Sequence, residues 1–177
     1  AIHRRIGVMY QSGALFGSMT CLQNVQLPID EFTKLGRKAR RDRAMGLLER
    51  VGLADAAGKM PSEISGGMKK RVAIARAMAL DPEILFLDEP SAGLDPITSS
   101  DLDDLILQIR RDHGTTFVVV THELPSIFKI ADRCAMFDKA RHGMIALGSP
   151  VELRDSSTDD FVKRFFAREG RETAKVA

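Results

Sequence analysis

Four successive apolar residues, Ile84 to Leu87, run straight into Asp88, Glu89 and Pro90. An apolar run this short and unbroken suits a strand covered on both faces, as in a parallel sheet with helices on either side. Phe117 to Val120 is a second such run. Between them Asp95 and Pro96 form an N-cap and first turn, and Leu102, Leu105, Ile106 and Ile109 give the following helix one apolar side. Strand, helix and strand in that order predict an α/β fold with a doubly covered parallel sheet. The two carboxylates then stand at the carboxyl end of a buried strand, where ligands of open α/β sheets collect and idle charge is costly. Asp88 suits a hard cation such as Mg²⁺, which takes one or two carboxylates and completes its shell with phosphate oxygens and water. Glu89 suits a general base. Taken alone, the same residues also fit a strand that simply turns into an acidic loop.

The rest of the chain fills in around this unit. Arg5 to Tyr10 reads as a short strand, and Gln11 to Thr20, with two glycines and two serines, as the loop leaving it. Across Arg37 to Val51, Ala44, Leu47, Leu48 and Val51 keep the spacing of one helix face, and Gly52 follows as a stop. After the break at Gly58 to Ser65 a stripe of Met68, Val72, Ala75 and Ala79 predicts a helix that starts at Gly66 or Gly67. Arg133 to Asp138 and Met144 to Leu147 read as strands, and Ser149 to Arg154 and Asp159 to Arg168 as short closing helices. Residues 171–177 are expected to form a mobile tail.

Ser65, Gly66, Gly67, Met68 and Lys69 open a helix with two glycines, so main-chain N–H groups can approach an anion at the positive end of the helix dipole. By themselves these residues are equally a flexible turn with a serine N-cap. Their order is more telling. Gln11 follows a strand, Ser65 comes 54 positions later, Asp88 after 23 more, then Leu94 and Asp95, and His122 lies 34 beyond Asp88, after a strand.

This succession resembles the nucleotide-binding domain of ATP-binding-cassette (ABC) transporters, with its Q-loop, signature motif, Walker B, D-loop and H-loop, over nearly the whole chain. The resemblance implies a P-loop NTPase core with a parallel sheet, incomplete at the N-terminus, and a helical signature subdomain at about 20–82. The core would comprise 1–19 and 83–155, with closing helices at 149–168. ATP and Mg²⁺ would be the cofactors. Two such domains would pack head to tail, with Ser65, Gly66, Gly67 and Met68 of one closing over nucleotide held by the other and Asp95 crossing the interface. Asp88 would hold Mg²⁺ through water, Glu89 would polarise the attacking water, and His122 would contact the γ-phosphate. Gln11 would reach metal and water and relay closure to a membrane partner.

Tyr10 to Phe16, Met60 to Glu63, Ser65 to Met68 and Ser91 to Ile97 are similar to the ATPases of Mla (maintenance of lipid asymmetry) phospholipid transporters. Methionine at position 68, where many relatives carry glutamine, weighs most. That resemblance implies a membrane permease, a lipid-carrying MCE protein and a small accessory subunit as partners, on the cytoplasmic face of a bacterial inner membrane. An ABC subunit that only lends its signature motif, or the ATPase of another import or export system, fits the same core motifs. The long coiled coil of cassette ATPases in DNA repair or chromosome structure has no counterpart in the 54 positions after Gln11.

Composition narrows the partners. The chain carries 26 basic and 24 acidic residues, too even a balance for bulk electrostatic binding of nucleic acid. Lys34, Arg37, Lys38, Arg40, Arg41 and Arg43 form a basic run open to two uses, contact with lipid head groups or an acidic permease loop, or a solvated helix face. Phe161, Phe165 and Phe166 could dock a partner or pack a terminal helix onto the core. Cys21 and Cys134 lack metal-ligand spacing and agree with a reducing compartment.

No G-x-x-x-x-G-K-S/T segment occurs in the 177 residues. The phosphate cradle and the adenine-holding aromatic residue are expected upstream of Ala1, the alternative being a subunit that binds no nucleotide itself. These 177 residues alone are therefore expected to bind ATP poorly and not to hydrolyse it. Saturable hydrolysis by them, abolished by Glu89→Gln in a phosphate-release assay, would be the contrary result.

Overall fold

Three parallel strands, β1 (Ile6–Met9), β2 (Ile84–Asp88) and β3 (Thr116–Val120), hydrogen-bond in that order, in a computed structural model that describes residues 5–167. Met9, Leu87 and Val119 share one register level, and Val8, Phe86 and Val118 the next. Because side chains alternate along a strand, these levels point to opposite faces. Met9, Leu85 and Leu87 are fully buried, whereas Val8, Phe86, Val118 and Val120 are 38 to 60% exposed. The doubly covered sheet expected from the apolar runs is thus, among the described residues, covered on one face. Apolar residues on both sides of a strand state what the strand tolerates and not what stands over it.

Four helices accompany these strands: α1 (Cys21–Phe32), α2 (Arg37–Arg50), α3 (Gly66–Ala77) and α4 (Pro96–His113). The helix α1 was not expected, since Pro28 interrupts it and Gln23, Asn24 and Gln26 obscure its periodicity. A capping box starts it: Thr20 Oγ1 accepts from the Gln23 N–H and the Gln23 side chain accepts from the Thr20 N–H. It packs on α2 and α3 through Cys21, Leu22, Val25 and Ile29, all buried. In α2 the expected face Ala44, Leu47 and Leu48 is buried. Two members of its basic run have internal partners, Arg40 with Asp30 (3.0 Å) and Arg43 with Asp81 (2.6 Å). Val72, Ala75 and Ala79 of the α3 stripe are buried, as are Leu102, Leu105, Ile106 and Ile109 of α4.

These elements belong to one compact unit, which ends at Thr121; His122 begins a second. In the second, α5 (Leu124–Ile130), the antiparallel pair β4 (Cys134–Asp138) and β5 (Gly143–Gly148), α6 (Pro150–Ser156) and α7 (Asp160–Phe166) surround their own core. Leu124, Ile127, Leu153, Val162 and Phe166 form that core, and Phe128 meets Phe166 edge to face at 5.7 Å. Phe166 therefore serves packing, whereas Phe161 is 40% exposed. The expected end of the last helix at Arg168 and the tail at 171–177 lie outside the described residues. No helix among the described residues is long and apolar enough to cross a membrane. Cys21 and Cys134 are free thiols, and burial pushes both above the ordinary cysteine range.

The first turns of α3 and α4 meet closely. Gly67 is buried, and a Cβ there would lie 2.6 Å from Thr98 Cγ2. Thr98 cannot rotate away cheaply, because its hydroxyl donates to Asp95 Oδ2 at 2.5 Å. Gly67→Ala should therefore lose about 1–2 kcal/mol in denaturant unfolding, steric strain outweighing the helix propensity gained. Thr98→Ser, which keeps the hydroxyl and removes the methyl, should restore most of that loss. At Gly66 a Cβ meets only Leu94 Cδ2 at 3.7 Å, so Gly66→Ala should stay within about 0.5 kcal/mol of the parent. A Gly67→Ala protein as stable as the parent would contradict the packing account.

Candidate functional site

Glu89 leaves β2 with φ of +43°, a left-handed conformation that costs a non-glycine residue about 1–2 kcal/mol. Its main chain is held on both sides. The N–H donates to Val120 O on β3 at 2.8 Å, and the carbonyl accepts from Lys70 Nζ at 3.0 Å and from the Ala92 N–H at 3.2 Å. The Glu89 side chain is half-buried, with Oε2 fully so. Asp88, the last residue of β2, is exposed. Both carboxylates thus stand at the carboxyl end of the central strand, as expected, and the turn that presents them is strained.

Lys70 is what joins this turn to the neighbouring strand. Only 7% exposed, it lies one turn into α3 and also donates to the carbonyl of Gln11, in the loop that leaves β1. A buried ammonium is costly unless its donors are used, and here two carbonyls receive it. Burial pushes Lys70 below the ordinary lysine range, and the charges of Glu89 and Asp88 pull it back up. The Gln11 side chain is exposed; its main chain is tied to α3 by the same ammonium that holds Glu89.

Six residues further along α3, Arg76 makes a second attachment to the same loop. Its guanidinium donates to Gly13 O and Ala14 O, both at 2.8 Å, and lies 5.9 Å from the centroid of the Phe16 ring. Burial holds it below the ordinary arginine range. Gly13 and Ala14 both have positive φ, +74° and +45°, and a Cβ on Gly13 would touch Ala73 of α3 at 3.4 Å. The loop's far end is fixed by buried Asn24, whose carboxamide accepts from the Phe16 N–H (2.8 Å) and donates to Phe16 O, Met19 O and Thr20 O. Lys70, Arg76 and Asn24 were not foreseen as site residues. The available signal was a cation at Lys70 on the same side of the helix as Ala73, Ile74 and Ala77.

Ser65 is the N-cap of α3, its Oγ accepting from the Met68 N–H at 3.2 Å. The first-turn N–H groups of Gly66 and Gly67 have no partner within the helix by geometry alone, which leaves them disposed toward an anion. Ser65 and Gly66 are exposed, Met68 is half-buried and Gly67 buried, so the second glycine also answers the packing demand of Thr98. Asp95 is exposed and caps α4, accepting from the N–H groups of Ile97 (3.1 Å) and Thr98 (3.0 Å). The Thr98 hydroxyl, followed by these N–H groups, holds its carboxyl below the usual range. Gly67 and Asp95 are thereby linked through one residue.

The candidate residues fall into groups: Gln11, Asp88 and Glu89 at one end of the sheet, and Ser65 to Met68 with Asp95 where α3 and α4 begin. His122 is exposed and opens the second unit. Among the described residues no three His, Cys, Asp or Glu side chains converge to hold a metal. Asp88, Glu89 and the Gln11 amide offer a few hard oxygens, which fits Mg²⁺ completed by phosphate and water and does not fit an enclosed zinc site.

A family model described as ABC transporter matches residues 1–92. The chain is 41% identical, over 93% of its length, to the intermembrane phospholipid transport system ATP-binding protein MlaF of Escherichia coli (strain K12), of which it covers 60%. It is 37% identical over 94% of its length to the glutamine transport ATP-binding protein GlnQ of Geobacillus stearothermophilus, of which it covers 68%. Its fold matches the dimeric post-hydrolysis state of the ATP-binding cassette MJ0796 bound to ADP and Pi, with a TM-score of 0.74 and 31% identity. That match covers 84% of this chain and 64% of the other. A family model matched over more than half of the chain and a relative 37% identical and covered to 68% show that the chain belongs to the ABC transporter family.

Proposed function

We propose that the protein is the ATP-hydrolysing subunit of an ABC transporter that energises phospholipid transport between bacterial membranes. The Glu89 turn, held in a strained conformation at the end of β2 beside the loop of Gln11, is the observation that carries the ATPase reading. The phospholipid reading is supported by the likeness to MlaF and by methionine at position 68. A similar likeness to GlnQ supports a second reading, an ATPase driving uptake of a small solute.

When bound, ATP and Mg²⁺ supply an electrophilic γ-phosphoryl group and neutralise the charge that develops on it. Glu89 accepts hydrogen bonding from the attacking water and polarises it. Asp88 would hold the cation through water, and the Gln11 amide would be a further oxygen donor to it. Ser65, Gly66, Gly67 and Met68 would close over the γ-phosphate on a second copy arranged head to tail, the Gly66 and Gly67 N–H groups and the Ser65 hydroxyl serving as donors, with Asp95 at that interface. By the family resemblance His122 would contact the γ-phosphate. The chain spans about 60% of the MlaF protein it matches, and the phosphate cradle is not among its residues. The helical subdomain is proposed for about 20–82 and the catalytic core for 1–19 and 83–155. The protein would sit on the cytoplasmic face of the inner membrane through a permease, with an MCE lipid carrier and a small accessory subunit completing the complex.

The test is reconstitution of the full-length protein with its permease in phospholipid vesicles. ATP-driven movement of phospholipid is expected, with Glu89→Gln lowering kcat about 100-fold or more while ATP still binds. Turnover that survives Glu89→Gln would overturn the role of Glu89. ATP-driven uptake of an amino acid with no phospholipid movement would favour the second reading.

A further inference from the structure

We infer that Lys70 is a positioning residue for hydrolysis: its ammonium locks the Gln11 loop and the Glu89 turn onto the helix that begins with Ser65, Gly66 and Gly67. This rests on the reading of Glu89 as the water-polarising base. Lys70 Nζ donates to the carbonyls of Gln11 and Glu89, which belong to the segments leaving two adjacent parallel strands. The pairing of Met9 with Leu87 brings those strands to their ends side by side, and beyond that point no further strand pairing holds the two segments in register. The ammonium supplies the missing tie. It also holds a residue whose backbone would not rest in its conformation unaided, since Glu89 has φ of +43°.

The chemistry requires a donor with neither acceptor capacity nor fixed geometry. A lysine supplies three N–H groups on a flexible stem, so it can serve two carbonyls on different segments at once. Hydrogen bonds from a charged donor are the stronger kind, and burial at 7% exposure shields them from competition with water. Removal of the ammonium would take a charged donor from both carbonyls together. The Gln11 loop would remain on α3 through Arg76, at Gly13 and Ala14, while the main chain of Glu89 would lose its tie to α3 and keep its bonds to Val120 O and from the Ala92 N–H. The loss therefore falls on the orientation of Glu89 more than on folding, and on turnover more than on nucleotide affinity.

The test uses the full-length protein, steady-state ATPase kinetics and amide hydrogen exchange. Lys70→Met, which keeps the stem and removes the donors, should lower kcat about tenfold or more with KM for ATP within about threefold of the parent. Exchange at the Glu89 and Ala92 amides should quicken at least about tenfold, with the slowest core amides unchanged. Lys70→Arg, which restores charged donors, should recover much of kcat. A Lys70→Met protein with kcat within twofold of the parent would overturn the inference. So would a loss of kcat and KM together with core protection that Lys70→Arg does not repair. Should Lys70→Met fail to fold, Lys70→Gln, which keeps an amide group but removes the charge, is judged by the same measures. A parent that hydrolyses no ATP would instead reject the ATPase reading, and the exchange rates would then decide the role of Lys70.

Discussion

Main-chain carbonyls that leave a sheet have no ladder partner, and in the first unit those at two critical points are taken by one buried ammonium. Lys70 receives the segment after β1 and the segment after β2 on the same atom. Arg76 takes two further carbonyls of the first segment, those of Gly13 and Ala14, and Asn24 closes that loop where it enters α1. Three polar side chains, none of them a candidate for chemistry, thus hold the Gln11 loop and the main chain of Glu89 in place. Each is buried or partly so, and each is tolerated there because its donors are used.

These ties carry local strain. Ala14 and Glu89 are non-glycine residues with positive φ, and both lie directly beside a carbonyl or carry one that accepts from α3. A left-handed turn aims the following chain sharply away from its strand, which is how an acidic side chain comes to project at the end of β2 instead of continuing the pleat. Strain of one or two kcal/mol is small beside the buried contacts of α3 and α4, yet large enough that a turn would relax without its ties. The same economy appears at Gly67, where a glycine that an anion would favour is also the one residue that lets α3 approach Thr98.

Periodicity and spacing made most of the architecture legible. The stripe from Met68 to Ala75, the side of α4 from Leu102 to Ile109 and the two apolar runs resolve into the elements they implied, though α3 ends at Ala77, before the last member of its stripe, Ala79. The helices α1 and α5 were not legible, the first because Pro28 and three polar residues hide its apolar side, the second because seven residues hold barely two turns. The start of α1 was nonetheless written in Thr20 and Gln23, a capping box three residues apart. Exposure of the sheet face at Phe86 and Val118 could not be read, since an apolar strand is indifferent to which of its faces is met. Lys70 and Arg76 escaped for a different reason. Their partners are carbonyls, which every residue has, so no pattern of side chains announces them.

The spacing along α3 gives these contacts a mechanical meaning. At 1.5 Å of rise per residue, Ser65 lies about 7 Å before Lys70 and Arg76 about 9 Å beyond it. A helix this short does not bend appreciably between such points without a proline or a bulge, and α3 has neither. Any tilt that displaces Ser65 and the glycines must therefore be matched at Lys70 and Arg76, either by carrying the Gln11 loop and the Glu89 turn along or by breaking buried, charge-assisted bonds. The first path preserves every donor; the second exposes unsatisfied polar groups. While those bonds hold, a displacement of the first turn of α3 is shared by the main chain at Gln11 and at Glu89.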